Sequence, residues 1–163
     1  MSVKFSPDEI FEMAEEIERN GAAFYRKAAG LAKDSNTKSL LEELSRWELT
    51  HLEKFLELQE QLKNGDFEEQ VFDPQNEAGL YLKAMADGHV FDFRKGVEAL
   101  IKGDEGMAEI FKTALRFEKD SIVFYLGMRD MVTSKSGKDK VMEIIGEEMK
   151  HIAYLNREMS QID

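Results

Sequence analysis

Two tetrapeptides of one pattern, Glu48-Leu-Thr-His51 and Glu148-Met-Lys-His151, set a carboxylate and an imidazole three residues apart. On an α-helix that spacing puts both side chains on nearly the same face, so a single helix presents two ligands side by side. Thirty residues before each pattern stands another glutamate, Glu18 and Glu118. Carboxylate oxygen with imidazole nitrogen suits iron, manganese or zinc better than calcium, which prefers all-oxygen shells. Four carboxylates balance two divalent ions when both imidazoles are neutral. Without metal the buried carboxylates would repel one another and take up protons, so metal binding is expected to stabilise the fold and to release protons.

The second half of the chain repeats the first at an offset of 100 residues. The shift aligns Glu9-Ile10-Phe11 with Glu109-Ile110-Phe111, Ala14 with Ala114, and Phe24-Tyr25 with Phe124-Tyr125. It also pairs Glu18 with Glu118, Glu43 with Glu143, Glu48 with Glu148 and His51 with His151, all without a gap. The same shift selects among the acids of the first segment, because Glu12, Glu15 and Glu16 fall opposite Lys112, Leu115 and Arg116. Glu43 and Glu143 are paired, yet each lies about 140° around a helix from the next matched glutamate and should face solvent. Tyr25 and Tyr125 each stand seven residues beyond a candidate ligand, about 20° off its face and two turns away. From there a phenol can hydrogen-bond a ligating carboxylate.

Long helices have to carry these residues. Prolines occur only at Pro7 and Pro74, and Leu, Glu, Lys, Ala and Met dominate the segments between. Ser6, Pro7 and Glu9 form the start signal of a first helix: a capping residue, a proline at the first helical position and the glutamate of a capping box. Apolar residues from Ile10 to Leu31 follow at helical period, to about Lys33. Asp34-Ser35-Asn36-Thr37 makes a turn, and Leu40 to Leu62 carry a second helix ended by Asn64-Gly65. The stretch from about 66 to 103 holds Pro74, Gly79, Gly88, Gly96 and Gly103, with apolar bursts at Leu80–Met85 and Val97–Ile101. It reads as a long crossover with one or two short helices. A third helix runs from Asp104 to a turn at Thr133–Gly137, and a fourth from about Lys138 to Met159.

The expected fold is all-α: an antiparallel four-helix bundle of two helical hairpins joined by that crossover, forming a single domain over 1–163. Glu18 and Glu48 each lie about 15 residues, roughly 22 Å, from the first hairpin bend. Glu118 and Glu148 repeat this about the second bend, so the six candidate ligands reach one level.

Composition narrows the function. Twenty-two Lys and Arg against 33 Asp and Glu leave a net charge of −11, which repels nucleic acid and anionic membrane surfaces. The chain has no cysteine, which excludes a disulfide framework, thiolate zinc, a cysteine-held iron–sulfur cluster and a catalytic thiol. No stretch of about 20 apolar residues occurs, and Met1 to Asp8 carry no apolar run of signal-peptide length, so the cytoplasm is the default compartment.

A glutamate on each of two helices, with Glu-x-x-His on each of the other two, resembles the ferritin-like di-iron and di-manganese carboxylate superfamily. The resemblance covers about residues 6–64 and 104–160. It is strongest to the rubrerythrin-like branch, on Glu18 and Glu118 each leading to Phe-Tyr and on the two Glu-x-x-His patterns. Similarity to rubrerythrins implies two iron ions per chain and reduction of hydrogen peroxide or oxygen. Similarity to ferritins and bacterioferritins implies oxidation of ferrous iron for handling and storage. Full rubrerythrins add a cysteine-ligated rubredoxin domain, which this chain lacks, so a peroxidase here would need an external electron donor. They also carry a further glutamate where this chain has Ser121, so its metal shell should be the more symmetric, bacterioferritin type.

Blander readings apply to other residues. His89 is a lone histidine and takes no role. The Phe and Met stripes, Trp47 and the apolar crossover residues read as core, with Val90, Phe91 and Phe93 available to cover the surface of a homodimer. Glu42-Glu43 and Glu68-Glu69 read as solvated faces. A bundle that binds metal without turnover, and a helical interaction domain with a vestigial site, are the alternatives to an oxidoreductase. A two-carboxylate hydrolase would leave the matched histidines without a purpose.

Overall fold

The computed structural model describes residues 6–64, 77–86, 101–132 and 134–162. Gly65, Glu68-Glu69, Pro74, Gly88, His89, Val90, Phe91, Phe93 and Gly96 lie outside the described residues. The described residues form five α-helices: α1 (Pro7–Leu31), α2 (Ser35–Lys63), α3 (Glu77–Ala86), α4 (Met107–Met131) and α5 (Lys135–Met159). Helix α1 packs along α2 and α4 along α5, and the two hairpins meet through α1 with α4 and through α2 with α5. This is the all-α bundle of two hairpins that the sequence predicts.

The hundred-residue repeat is visible in the helix limits. Helices α1 and α4 begin at Pro7 and Met107 and end at Leu31 and Met131, while α2 and α5 begin at Ser35 and Lys135. Local chemistry sets these ends. Ser6 caps α1 by accepting the Glu9 backbone N–H at 3.2 Å, and the Glu9 carboxylate accepts the Ser6 N–H at 2.6 Å. At the two bends Asp34 accepts the Thr37 N–H at 2.8 Å and Ser134 accepts the Gly137 N–H at 3.0 Å. Capping by Ser134 starts α5 at Lys135, three residues before the position expected from apolar periodicity alone. Helix α4 starts at Met107 rather than Asp104. The preceding residues form a turn instead: Gly103 has φ of 101°, and the Glu105 carboxylate accepts the backbone N–H groups of Lys102 and Gly103.

The buried core follows the repeat in pairs: Ile10 and Ile110, Phe11 and Phe111, Ala14 and Ala114, Phe24 and Phe124, Leu44 and Ile144, Phe55 and Leu155. Phe24 meets Phe117 edge to face at 4.7 Å between ring centroids, joining α1 to α4 through the middle of the core. Ser45 donates to the Ala22 carbonyl at 2.7 Å and ties α2 to α1. The crossover helix α3 lies on α4, where Tyr81 donates to the Val123 carbonyl at 2.9 Å. Its ring rests against Gly127, where an added Cβ would meet it at 2.5 Å. Among the described residues no helix is long and apolar enough to cross a membrane.

Candidate metal centre

Halfway along the bundle the apolar layers are interrupted by charge. Glu18, Glu48, His51, Glu118, Glu148 and His151 are all buried, each 4% exposed or less. Glu18 comes from α1, Glu118 from α4, Glu48 and His51 from α2, and Glu148 and His151 from α5. The six side chains converge as two overlapping groups. Glu18, Glu48, His51 and Glu148 offer ligand atoms within 4.8 Å of one another, and so do Glu48, Glu118, Glu148 and His151. Glu48 and Glu148 belong to both groups, whereas each group has its own glutamate and its own histidine.

Both histidines aim Nδ1 inward. His51 Nδ1 lies 3.1 Å from Glu148 Oε1, 3.5 Å from Glu18 Oε2 and 3.8 Å from Glu48 Oε2. His151 Nδ1 lies 2.8 Å from Glu148 Oε2, 3.2 Å from Glu48 Oε1 and 3.5 Å from Glu118 Oε1. Despite these distances, His51 Nδ1, His151 Nδ1, Glu18 Oε2, Glu48 Oε1 and both Glu148 oxygens make no hydrogen bond. Buried polar atoms without partners carry a desolvation cost of about 1–3 kcal/mol each. Six such atoms facing one another are therefore expected to share something else, and their types are the mixed O and N donors of a transition-metal site. The residues present fit a pair of metal ions.

Electrostatics give the same picture. Burial, followed by the charge of Glu48, raises Glu18 to about 8. Glu118 is raised well above the ordinary range by burial and then by Glu148 and Glu48. Burial alone would lower His151, but short contacts to Glu118, Glu148 and Glu48 outweigh it and raise the group to about 12. His51 is raised in the same way, chiefly by Glu148, Glu18 and Glu48 against its own burial. Without a cation such a cluster would balance its carboxylates with protons, which cations can replace.

The two tyrosines complete the interior. Tyr25 donates to Glu118 Oε1 and Tyr125 donates to Glu18 Oε1. Each phenol therefore reaches the glutamate of the opposite hairpin rather than the one on its own helix, a crossing that the seven-residue spacing alone leaves undetermined. Burial, and then the charge of the carboxylate it meets, raises each phenol well above its usual value, so both remain donors at neutral pH. Glu43 and Glu143 are exposed, as their helical angle predicts, and Glu143 pairs with Lys54 at 2.9 Å.

Sequence reasoning missed the residues outside the histidines. Trp47, read there as core, stacks on the His151 ring at 5.2 Å and 11°. Glu147 Oε2 lies 2.7 Å from His51 Nε2, and Lys54 donates to both Glu147 oxygens at 3.0 and 3.1 Å. A cleft of about 270 Å³ opens here between α2 and α5, lined by Trp47, Thr50, His51, Glu147, Lys150, His151 and Tyr154. The available signal was a break in the repeat, since Trp47 falls opposite Glu147 and Lys54 opposite Tyr154.

No protein-family model matches the sequence, and no curated protein matches it. Among solved structures it matches a protein from Thermotoga maritima described as a candidate ferritin-like diiron-carboxylate protein. The match has a TM-score of 0.71 and 22% sequence identity, and covers 98% of this chain and 97% of the other. The fold is therefore ferritin-like. Fold and side chains together define a ferritin-like helical bundle with a buried cluster of four carboxylates and two imidazoles in its interior.

Proposed function

We propose that Glu18, Glu48, His51, Glu118, Glu148 and His151 hold two iron ions, and that the protein is an oxidoreductase reducing hydrogen peroxide or oxygen at that centre. The observation that carries the reading is the pair of donor groups sharing Glu48 and Glu148. Glu48 and Glu148 would contribute to the holding of both ions, while Glu18 with His51, and Glu118 with His151, would each help to hold one. The description of the Thermotoga maritima protein as a candidate diiron-carboxylate protein supports iron, although manganese and zinc suit the same donors.

Two ferrous ions bound here would supply the two electrons that, with two protons from solvent, reduce one peroxide to two waters. The chain does the rest. Tyr25 and Tyr125 fix the outer carboxylates by holding one oxygen of each. The apolar layers above and below keep the cluster buried, and the cleft of about 270 Å³ beside the histidines is larger than peroxide or oxygen. The chain has no cysteine to hold a second iron centre, so an external electron donor would return the site to its reduced state. The rubrerythrin-like Phe-Tyr and Glu-x-x-His patterns support peroxide as the oxidant. The symmetric six-residue shell, with Ser121 in place of a further glutamate, supports a second reading in which ferrous iron is oxidised for handling and storage.

Mixing the ferrous protein with peroxide in a stopped-flow spectrometer tests the proposal. Oxidation much faster than that of free ferrous ion supports the oxidoreductase. Oxidation no faster than free ion would leave a metal-binding bundle without turnover. Retention of ferric iron far beyond two ions per chain would favour storage.

A further inference from the structure

The two histidines have the same ligand partners but different backing. Behind His51 stands an ion pair: Glu147 Oε2 at 2.7 Å from Nε2, itself gripped through both oxygens by Lys54. Behind His151, the corresponding positions of the repeat are Trp47 and Tyr154, an aromatic pair with ring centroids 5.6 Å apart. The indole lies flat on the imidazole.

These two kinds of backing act differently on a ligand. An ionised carboxylate accepts and does not donate, so Glu147 keeps the proton of a neutral His51 on Nε2 and leaves the Nδ1 lone pair directed at the carboxylates. Its negative charge also makes the imidazole a stronger donor to a cation. Lys54 donates to both Glu147 oxygens at 3.0 and 3.1 Å, which pairs the carboxylate with a cation and fixes it against the ring. A stacked indole holds the plane of its neighbour, but it brings no charge to strengthen the ring as a ligand. The indole N–H is only a donor and cannot accept a ring proton.

We propose that Glu147, clamped by Lys54, is a positioning residue for His51, and that it makes the half-site of Glu18 and His51 bind a divalent transition metal more tightly than the half-site of Glu118 and His151. The inference rests on the metal-centre reading above. It deepens that reading, because the two ions would then load in order although their immediate ligands match.

Titration of the metal-free protein with Co²⁺, followed by visible absorption and calorimetry, tests this directly. The parent is expected to bind two ions in resolved steps at least about tenfold apart. Glu147→Ala should weaken the tighter step about 10- to 100-fold, the usual effect of losing a carboxylate behind a ligating histidine, and change the weaker step less than about threefold. Glu147→Gln, which still offers an oxygen acceptor, should recover part of the loss. Trp47→Glu should strengthen the weaker step and narrow the gap. In a Glu118→Ala background, where only the His51 half keeps its full ligand set, the Glu147→Ala loss should persist; in Glu18→Ala it should vanish. Far-UV circular dichroism of each metal-free variant separates these effects from misfolding. Equal affinities in the parent, or an equal loss from both steps in Glu147→Ala, would overturn the inference while leaving a two-metal centre intact. A parent that binds no Co²⁺ would overturn the metal-centre reading and this inference with it.

Discussion

The cluster can be divided into an α1–α2 half and an α4–α5 half, and the two agree inside and differ outside. Inside, Glu18, Glu48 and His51 match Glu118, Glu148 and His151, and the tyrosines cross between hairpins with the same hydrogen bond. Outside, His51 is backed by a carboxylate and a lysine, whereas His151 is backed by two aromatic rings. Beneath these carboxylates a further difference appears, because Gly21 lies against Glu48 where its counterpart is Ser121. A duplicated hairpin therefore supplies equal donor side chains without supplying equal surroundings. Surroundings tune a ligand's donor strength and orientation, so the two halves of a symmetric shell need not behave alike.

Removing what the halves share should have the largest effect. Glu48→Ala/Glu148→Ala takes a donor from both groups, and metal content by elemental analysis should fall from about two ions per chain to near none. Glu18→Ala and Glu118→Ala should each cost one ion. The metal-free double variant should melt below the metal-free parent, since it strips the buried imidazoles of two of the carboxylates that hold their protons. A melting point as high as the parent's would mean that repulsion among the carboxylates outweighs their hold on the histidines.

Acidity should separate the metal-free and loaded proteins. The folded metal-free chain holds more protons than the unfolded one: Glu18 stands at about 8 against an ordinary 4.5, and His151 at about 12 against 6.5. The glutamate contribution falls as pH rises from 4.5 to 8, and the histidine contribution falls from 6.5 upward. The metal-free melting temperature should therefore drop between about pH 5 and 9, by about 1.4 kcal/mol of stability per pH unit for each extra proton held. Metal displaces those protons, so affinity should rise over the same range and loading should acidify a weakly buffered solution. A metal-free melting curve that does not move with pH would contradict the proton-balanced cluster.

Smaller changes sharpen the comparison. Tyr25→Phe and Tyr125→Phe each strip a hydrogen bond from a buried carboxylate of the opposite half, and each should cost about 1–3 kcal/mol in denaturant unfolding. Unequal costs would show that the halves differ in their interior as well. Gly21→Ala is the mildest test. Alanine favours a helix by about 1 kcal/mol over glycine, but its Cβ would stand 3.3 Å from the Glu48 side chain. Metal-free stability should hold or rise while metal affinity falls, and Ser121→Ala should leave affinity unchanged.

The chain itself determined the helices and their level. Ser6-Pro7 and Asp34 announce helix starts through capping chemistry that acts within three residues. The apolar period of Ile10, Ala14, Phe24 and Ala28 marks the buried stripe of α1, and matched counts from two bends bring Glu18, Glu48, Glu118 and Glu148 to one height. These are local or arithmetic properties, legible without knowing what packs on what. Apolar spacing places the start of α5 too late because Ser134 caps from outside that pattern, and the start of α4 too early because Glu105 ties up the backbone before Met107. Only the tertiary structure decided which carboxylate each phenol meets, that Glu48 and Glu148 are the shared pair, and that Glu147 and Trp47 stand behind different histidines. Those facts depend on how α1 lies on α4 and α2 on α5, and contacts between hairpins carry no fixed spacing along the chain.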